Sequence, residues 1–203
     1  MPRPRTLTPE QITAAALDVL DRDGLGGLSM RAVAQELRMS TMGLYRYVAD
    51  RGELERLVVE SVLARVDVRP PPGLPWRERI EALVRRLREA VTAHPAVVPL
   101  SVAHRHRSRE VARWSEAVLG VLSEAGFDGA PRVVALRGLL SYVIGAVQLE
   151  ELGPLAGEGT AVLSALPDTE FPLLAATARH AAEVDAEREF FDGLAALLRG
   201  LRT

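Results

Sequence analysis

The chain has 203 residues, of which 48% are hydrophobic and 26% charged, and this balance predicts a well-packed core. It contains no cysteine, which excludes a disulfide framework, thiol catalysis and cysteine-ligated zinc. The formal net charge of -2 gives no support for nucleic-acid binding from bulk charge. The sequence shows neither an apolar leader nor a run of about 18 apolar residues, and this predicts a cytoplasmic protein without a membrane span.

The apolar residues recur with the period of a helix along nearly the whole sequence, and no convincing alternating strand occurs. The sequence therefore predicts an all-α fold. In the first segment, Thr8-Pro9-Glu10-Gln11 combines a capping box with a proline in the first turn. We expect a first helix to begin there and to end at Gly24.

Residues 28–48 are typical of a helix-turn-helix, a motif that places its second helix in the major groove of DNA. Ser29 caps a short helix, residues 38–40 form the turn, and Ser40 or Thr41 caps a further helix through Val48. That last helix contains two tyrosines, an arginine and a glycine, although one glycine costs about 1 kcal/mol of helix propensity relative to alanine. The alternative interpretation is a solvated helix whose tyrosines pack on neighbouring side chains.

The side chains of this second helix suit contacts with DNA. Gly43 would permit a close approach, and the hydroxyls of Tyr45 and Tyr47 can donate to phosphates. Arg46 can reach a phosphate or the edge of a guanine. Met42 offers an apolar contact that favours a thymine methyl group.

The remaining sequence predicts a connecting helix, a linker and a larger helical domain. The capping signal at residues 50–53 begins a helix to residue 66, and the proline-rich stretch 70–75 marks a linker. We therefore predict a DNA-binding domain over residues 1–66 and a ligand-binding and dimerisation domain over residues 67–203. Further helices are predicted at about 76–92, 95–103, 108–125, 131–152, 170–182 and 186–201, with a mobile loop over 153–168.

Three segments resemble the DNA-binding domain of the tetracycline-repressor (TetR) family in their order and spacing. These are Leu28-Ser-Met-Arg-Ala-Val-Ala-Gln-Glu-Leu37, Ser40-Thr-Met-Gly-Leu-Tyr-Arg-Tyr-Val48 and Arg51-Gly-Glu-Leu54. Residues 171–174 and 186–201 resemble more loosely the C-terminal domain of the subgroup closest to the tetracycline repressor itself. The resemblance implies a homodimer that binds a palindrome in double-stranded operator DNA and represses transcription until a small-molecule inducer binds the larger domain.

The resemblance also implies roles for individual positions in DNA binding. Contacts with base edges are implied for Arg31, Thr41, Met42 and Gly43, and Arg46 is a further candidate. Contacts with the DNA backbone are implied for Tyr45, Tyr47 and Arg51, with Ser29 as a weaker candidate. Arg3 and Arg5 could reach the adjacent groove or phosphates. The sequence departs from the family pattern at Arg38, where the turn often carries a glycine.

Two apolar stripes in the C-terminal half predict a four-helix dimer seam. One comprises Leu136, Leu140, Val143 and Val147, and the other Phe190, Leu194, Leu197, Leu198 and Leu201. The alternative is that both stripes fill the core of the monomer. A protein that reads a palindrome needs two-fold symmetry, which favours the dimer.

A pocket for the inducer is expected between helices of the same domain, with apolar walls and a few polar groups. The candidate ligand-binding residues are His94, His104, Trp114, Arg137, Tyr142 and Gln148. The segment His104–Glu110 could instead hold a metal, since a histidine and a carboxylate four residues apart share a helix face. A solvated polar surface is the commoner outcome, so we predict neither a metal nor a cofactor.

Other classes of function find less support in the sequence. There is no Gly-x-Ser-x-Gly elbow, no glycine-rich phosphate loop and no His-Glu-x-x-His motif, so an enzyme is not expected. Two variants of a DNA-binding regulator stay open. One is controlled by a protein partner in place of a small molecule, and the other activates transcription.

Overall fold

The computed structural model describes residues 7–153 and 155–202, and every regular element in those ranges is an α-helix, which confirms the all-α prediction. The helices are α1 (Pro9–Gly27), α2 (Met30–Glu36), α3 (Thr41–Leu44), α4 (Arg51–Leu63), α5 (Trp76–Thr92), α6 (Val97–Ala103), α7 (Arg109–Glu124), α8 (Gly129–Leu152), α9 (Glu158–Ser164), α10 (Pro172–Ala181) and α11 (Ala186–Gly200). The candidates Arg3 and Arg5 lie outside the described residues.

The chain forms two compact units. Unit 1 comprises the described residues up to Arg69 together with Arg85–Ala117, and unit 2 comprises Pro70–Val84 and the described residues from Val118. Residues 85–117 thus pack with the N-terminal helices, although they follow the linker in sequence. The predicted functional division after residue 66 is a different kind of boundary and stays a prediction.

The first helix begins as its capping signal predicts. The backbone nitrogen of Gln11 donates to Thr8 Oγ1 at 3.3 Å, and the Gln11 side chain accepts in return from the Thr8 backbone nitrogen at 3.1 Å. Gly24 has a φ of 67°, in the left-handed region that glycine adopts without a steric penalty. Helical geometry is interrupted there as expected, but α1 continues beyond this kink to Gly27.

The core of unit 1 joins the helix-turn-helix to the helices around it. Leu20 of α1, Val33 of α2, Leu44 of α3 and Leu54 of α4 are each fully buried. Complete burial of such an aliphatic side chain contributes about 1.5–3 kcal/mol. Helix α4 packs on both α1 and α6, so it connects the helix-turn-helix to a helix from beyond the linker.

The second helix of the helix-turn-helix is shorter than predicted. Regular α-helix ends at Leu44, and the expectation that it runs through Val48 is wrong. Beyond Leu44 the bonds from Arg46 to the Gly43 carbonyl and from Tyr47 to the Leu44 carbonyl span three residues, which is the tighter pattern of a 3₁₀ turn.

Unit 2 contains two pairs of packed helices, α8 with α11 and α9 with α10. Helix α9, Glu158–Ser164, lies inside the stretch predicted as a loop, so that prediction is wrong for these residues. The glycines at 157 and 159 obscured the helical pattern. Packing on α10 supplies the stabilisation that seven residues lack on their own.

Helix α8 is 24 residues long with a mean hydropathy of 1.4 in its most apolar window, of which 22% is buried. By length and composition it is the single helix in the described ranges that meets the requirement for a membrane span. Those two properties do not by themselves indicate a membrane, because a helix that packs in a protein interface has them too. Arg137, near its middle, would be costly in a bilayer.

Candidate DNA interface and ligand-binding residues

The helix-turn-helix exposes large apolar side chains around a buried anchor. Leu44 and Val48 are buried, whereas Met42 is 76% exposed, Tyr45 46% and Tyr47 38%. A cluster of large side chains that is exposed to this degree indicates a surface for a partner. It occupies the positions that the sequence predicted for DNA contacts.

The predicted DNA-contacting residues differ in how firmly the chain already holds them. Arg31 and Arg46 are exposed, and within the described residues neither has an ion-pair partner. Arg51 is also exposed, but its Nε lies 2.7 Å from Glu55 Oε1 and its Nη2 donates to the Leu25 carbonyl at 3.2 Å. The first two arginines therefore offer their full charge to a phosphate or a base.

The remaining predicted contacts, Ser29 and Thr41, are half-buried. Ser29 Oγ accepts from the backbone nitrogen of Ala32 at 3.1 Å and so caps α2. Its hydroxyl hydrogen is still available to a phosphate, which fits its standing as a weaker candidate.

The turn between α2 and α3 is built with an arginine in a glycine-like conformation. Arg38 has a φ of 54°, the one positive value at a non-glycine residue in the described chain. The left-handed region costs such a residue about 1–2 kcal/mol. The backbone nitrogen of Met39 donates to the Ala34 carbonyl at 2.9 Å, so the turn keeps a regular helix end despite the departure at Arg38.

Gly43 lies close to side chains of its own turn, in addition to the predicted approach to DNA. A Cβ at this position would lie 2.8 Å from Met39 Cε and 3.2 Å from Ser40 Oγ. Ser40 Oγ accepts from the Gly43 backbone nitrogen at 3.1 Å and caps α3. A larger residue would therefore require the ends of the Met39 and Ser40 side chains to shift, a constraint that the sequence did not reveal.

Three of the predicted ligand-binding residues belong to unit 1. His94 Nδ1 lies 2.8 Å from Asp21 Oδ2, and His104 Nε2 lies 2.9 Å from Glu55 Oε2. Trp114 is 3% exposed. His94 also borders a surface pocket of about 460 Å³, lined by Val62, Arg65, Val66, Asp67, Arg86, Glu89, Ala90, Ala93 and His94.

Both histidines thus contact a carboxylate, and sequence reasoning missed both acids. Asp21 is 73 residues from its histidine and Glu55 is 49 residues from His104, so no local pattern could pair them. Burial opposes ionisation of Glu55, but hydrogen bonds from His104 and Arg51 outweigh it and lower the pKa of this carboxyl below its ordinary value.

The other three predicted ligand-binding residues belong to unit 2. Arg137 and Gln148 are exposed on α8. Tyr142 is half-buried, and its hydroxyl donates to the Phe190 carbonyl at 2.5 Å. Two of these three side chains thus lie on the surface of α8, and Tyr142 takes part in the contact between α8 and α11.

The alternative of a metal at residues 104–110 is not supported. His106 lies in the turn before α7, so it shares no helix face with Glu110. Glu110 Oε2 pairs with Arg113 Nη1 at 2.8 Å, and His104 is held by Glu55. The part of the chain that the structure describes contains no group of three metal-ligating side chains.

The predicted dimer residues divide into two groups. Val143, Val147, Phe190, Leu194 and Leu198 are buried within the single chain, so they fill its core and present no surface to a partner. Leu136, Leu140, Leu197 and Leu201 are half-buried. The core alternative is therefore correct for the first group, because α8 and α11 pack on each other inside unit 2.

Comparison with known proteins places the chain in a family. Residues 69–203 match the tetracyclin repressor-like C-terminal domain. An HTH-type transcriptional regulator from Saccharopolyspora erythraea is 32% identical over 146 residues, which cover 72% of this chain and 62% of that protein. The repressor DrrR1 from Streptomyces coeruleorubidus is 33% identical over 150 residues, covering 72% of this chain and 54% of that protein. The chain spans less than two thirds of the length of either relative.

Other matches extend over nearly the whole chain. The class E tetracycline repressor protein of Escherichia coli is 29% identical over 196 residues, covering 96% of this chain and 90% of that protein. ActR from Streptomyces coelicolor, solved with actinorhodin, matches with a TM-score of 0.80 at 30% identity and covers 98% of this chain and 96% of its own. BioQ, known from Mycobacterium smegmatis and solved with its double-stranded DNA operator, matches with a TM-score of 0.66 at 26% identity over 94% of this chain and 99% of its own. From the matched domain and the likeness to ActR, we conclude that the chain belongs to the tetracycline-repressor (TetR) family of transcriptional regulators.

Proposed function

We propose that this chain is a cytoplasmic transcriptional repressor that binds a palindromic operator as a homodimer and is released by a small-molecule inducer. The observation that carries the proposal is the helix-turn-helix surface, where Met42, Tyr45 and Tyr47 are exposed beside Arg31 and Arg46, two exposed arginines without an ion-pair partner among the residues that the structure describes. Apolar side chains and the guanidinium groups of arginines contact base edges, and tyrosine hydroxyls donate hydrogen bonds to phosphates.

A DNA-bound relative supports the proposed partner. BioQ is solved with its double-stranded operator, and it matches this chain over 94% of its length. In a dimer, the two copies of α3, the recognition helices, must enter major grooves about 34–36 Å apart. The operator is therefore expected to be a palindrome with that spacing between the centres of its half-sites.

The inducer is proposed on the ligand-bound relative and the residues of the larger domain. ActR, at 30% identity, is solved with the small molecule actinorhodin. Trp114 in unit 1 and Tyr142 in unit 2 each stay a candidate ligand contact by themselves, because each combines an aromatic body with one polar atom. Arg137 and Gln148 are exposed on α8 and suit an interface better than an enclosed pocket.

The dimer seam is proposed along the outward face of α8. Val134 and Leu152 are 65% and 86% exposed and lie 18 residues, or five helical turns, apart on this face. Between them lie Ser141 and Gly145, two small residues that permit close approach of a second helix. This face takes the place of the predicted seam residues that are buried in unit 2.

Induction is proposed to act through α4. Helix α6 packs on α4, and α4 begins at Arg51, next to the recognition surface. A ligand that binds one arrangement of α6 more tightly than another would shift α4 and with it the separation of the two recognition helices. Since groove spacing is fixed, a change of a few ångströms would weaken operator binding strongly.

Selection of genomic DNA fragments by the purified protein tests this function. At a stated salt concentration the wild type should enrich a palindromic site, and the double variant Tyr45→Ala/Arg46→Ala should not. Arg199→Ala, which removes an exposed arginine of α11, is the matched control and should enrich the same site. If the wild type enriches no site, or the double variant enriches the same one, the helix-turn-helix is not the reading surface.

A further inference from the structure

The carboxylate of Glu55 connects Arg51 to the end of α6. Its Oε1 lies 2.7 Å from Arg51 Nε, one helical turn earlier on α4, and its Oε2 lies 2.9 Å from His104 Nε2. The side chains of Glu55 and His104 are each only 16% exposed, whereas that of Arg51 is 49% exposed. We name this chain of contacts the His104–Glu55–Arg51 relay.

The direction of the hydrogen bonds in the relay follows from its chemistry. Glu55 is ionised, so both of its oxygens accept, and His104 Nε2 and Arg51 Nε both donate. Each donor satisfies one oxygen of the half-buried carboxylate. If His104 moved away, Glu55 would keep Arg51 as its one donor of these two. The carboxylate would then bind Arg51 more tightly.

His104 is attached to the C-terminal end of α6. His104 is the C-cap of that helix, and its backbone nitrogen donates to the Leu100 carbonyl at 2.9 Å. Leu100 is buried, as are Val97 and Val98. A displacement of α6 relative to α4 would therefore change the distance from His104 to Glu55.

The other end of this relay faces the proposed DNA surface. Arg51 is the first residue of α4, and its exposed guanidinium is a predicted contact with the DNA backbone. A carboxylate that binds this guanidinium competes with a phosphate for it and also repels the phosphate. The hydrogen bond that His104 donates to Glu55 reduces both the competition for Arg51 and the repulsion of the phosphate.

We propose that His104 is a positioning residue for operator binding, which acts through Glu55 to set how strongly Arg51 binds a DNA phosphate. The proposal rests on the proposed function and names the contact through which α6 reaches the DNA surface. With His104 in place, its hydrogen bond to Glu55 weakens the hold of this carboxylate on Arg51, so that a phosphate can compete for the guanidinium. With α6 displaced, Glu55 retains Arg51 and the phosphate contact is lost.

A mutant cycle on the full-length protein tests the relay. The variants are His104→Ala, Glu55→Gln and the double variant, and the readout is anisotropy of a labelled palindromic fragment recovered by the DNA selection, measured over a range of salt. His104→Ala should weaken binding about threefold to tenfold, in line with coupling between contacting charged groups. It should also reduce the salt slope by about 0.9, the value for one lost phosphate contact.

Two further variants separate positioning from damage to the fold. In Glu55→Gln the competing charge is gone, so adding His104→Ala should change binding little. His104→Gln places an amide nitrogen near the site of Nε2 and should restore most of the affinity. Thermal unfolding of every variant identifies any loss that comes from misfolding.

The outcomes are distinguishable from failure of the proposed function. If the wild type binds its fragment and His104→Ala weakens binding equally with and without Glu55→Gln, or leaves the salt slope unchanged, the relay is wrong and the function stands. Unchanged affinity in all variants also overturns the relay. If the wild type binds no fragment at any salt concentration, the proposed function fails and the relay with it.

Discussion

The hydroxyl of Tyr142 on α8 donates a hydrogen bond to the carbonyl oxygen of Phe190 on α11 at 2.5 Å. The two rings lie 5.3 Å apart between centroids and are tilted by 56°, a favourable aromatic geometry. Gly193 completes the contact, because a Cβ at this position would collide with the Tyr142 hydroxyl. A hydrogen bond and a contact between two aromatic rings thus hold the two helices together, and the glycine leaves the space that the tyrosine needs.

Replacement of Tyr142 with phenylalanine tests the hydrogen bond of this contact. The variant keeps the ring pair but leaves the Phe190 carbonyl without that donor. We expect the free energy of unfolding to fall by about 1 kcal/mol, the typical net value of such a bond. Denaturant unfolding measures it, and an unchanged midpoint would show that the bond contributes nothing to stability.

Replacement of Gly193 with alanine tests the close approach. The added methyl group would push the Tyr142 hydroxyl away, so we expect a loss of about 1–3 kcal/mol in the free energy of unfolding, as for an overpacked site. The control is Gly120→Ala on α7, where a Cβ meets nothing within 4 Å. There the higher helix propensity of alanine should stabilise by about 0.5–1 kcal/mol. Equal effects at both sites would contradict the steric argument.

Local sequence signals predicted the helix starts well. Thr8, Ser29 and Asp50 each cap the helix that they were expected to begin, because a cap and its partner lie three residues apart. The pairs His94–Asp21 and His104–Glu55 depend on the packing of distant helices and leave no local pattern. The same limit explains the seam, since helical period shows that α8 has an apolar face but not whether α11 or a second subunit covers it.

The turn residue Arg38 should be replaceable by glycine with a gain in stability. Its φ of 54° is strained for arginine and free for glycine, so Arg38→Gly should raise the free energy of unfolding by about 1 kcal/mol. Arg38→Ala removes the same side chain but keeps the strain, and it should show no gain. Denaturant midpoints compare the two, and a gain in the alanine variant would show that the side chain, not the backbone, is unfavourable.

The carboxyl of Asp67 should titrate at unusually low pH. Hydrogen bonds from the Arg69 side chain and backbone, with a smaller contribution from the charge of Arg86, lower the pKa of Asp67 to about 2. A pKa lowered by folding stabilises the protein above the ordinary value of 3.8, and this contribution is lost as the pH falls through about 2. Carbon-detected NMR titration should show Arg69→Ala raising this pKa more than Arg86→Ala does.

The same linkage predicts a pH-dependent difference in stability. The gap between the denaturant midpoints of the wild type and Asp67→Asn should be constant from pH 7 to about pH 5 and shrink as the pH falls below about 4. A gap that is constant down to pH 3 would mean that Asp67 has the same pKa in the folded and unfolded states.

The proposed seam on α8 should be sensitive to a charge at its centre. Ser141 is exposed in the single chain, so Ser141→Arg should leave the fold intact while two arginines meet across the two-fold axis. We expect the mass by light scattering to fall from a dimer to the 22.0 kDa of one chain. Ala112→Arg, at an exposed position of α7, is the matched control and should stay dimeric.

A monomeric Ser141→Arg that folds normally should also lose the palindromic site while retaining weak binding to any DNA, because one subunit reads one half-site. A dimeric Ser141→Arg would place the seam on another face of unit 2.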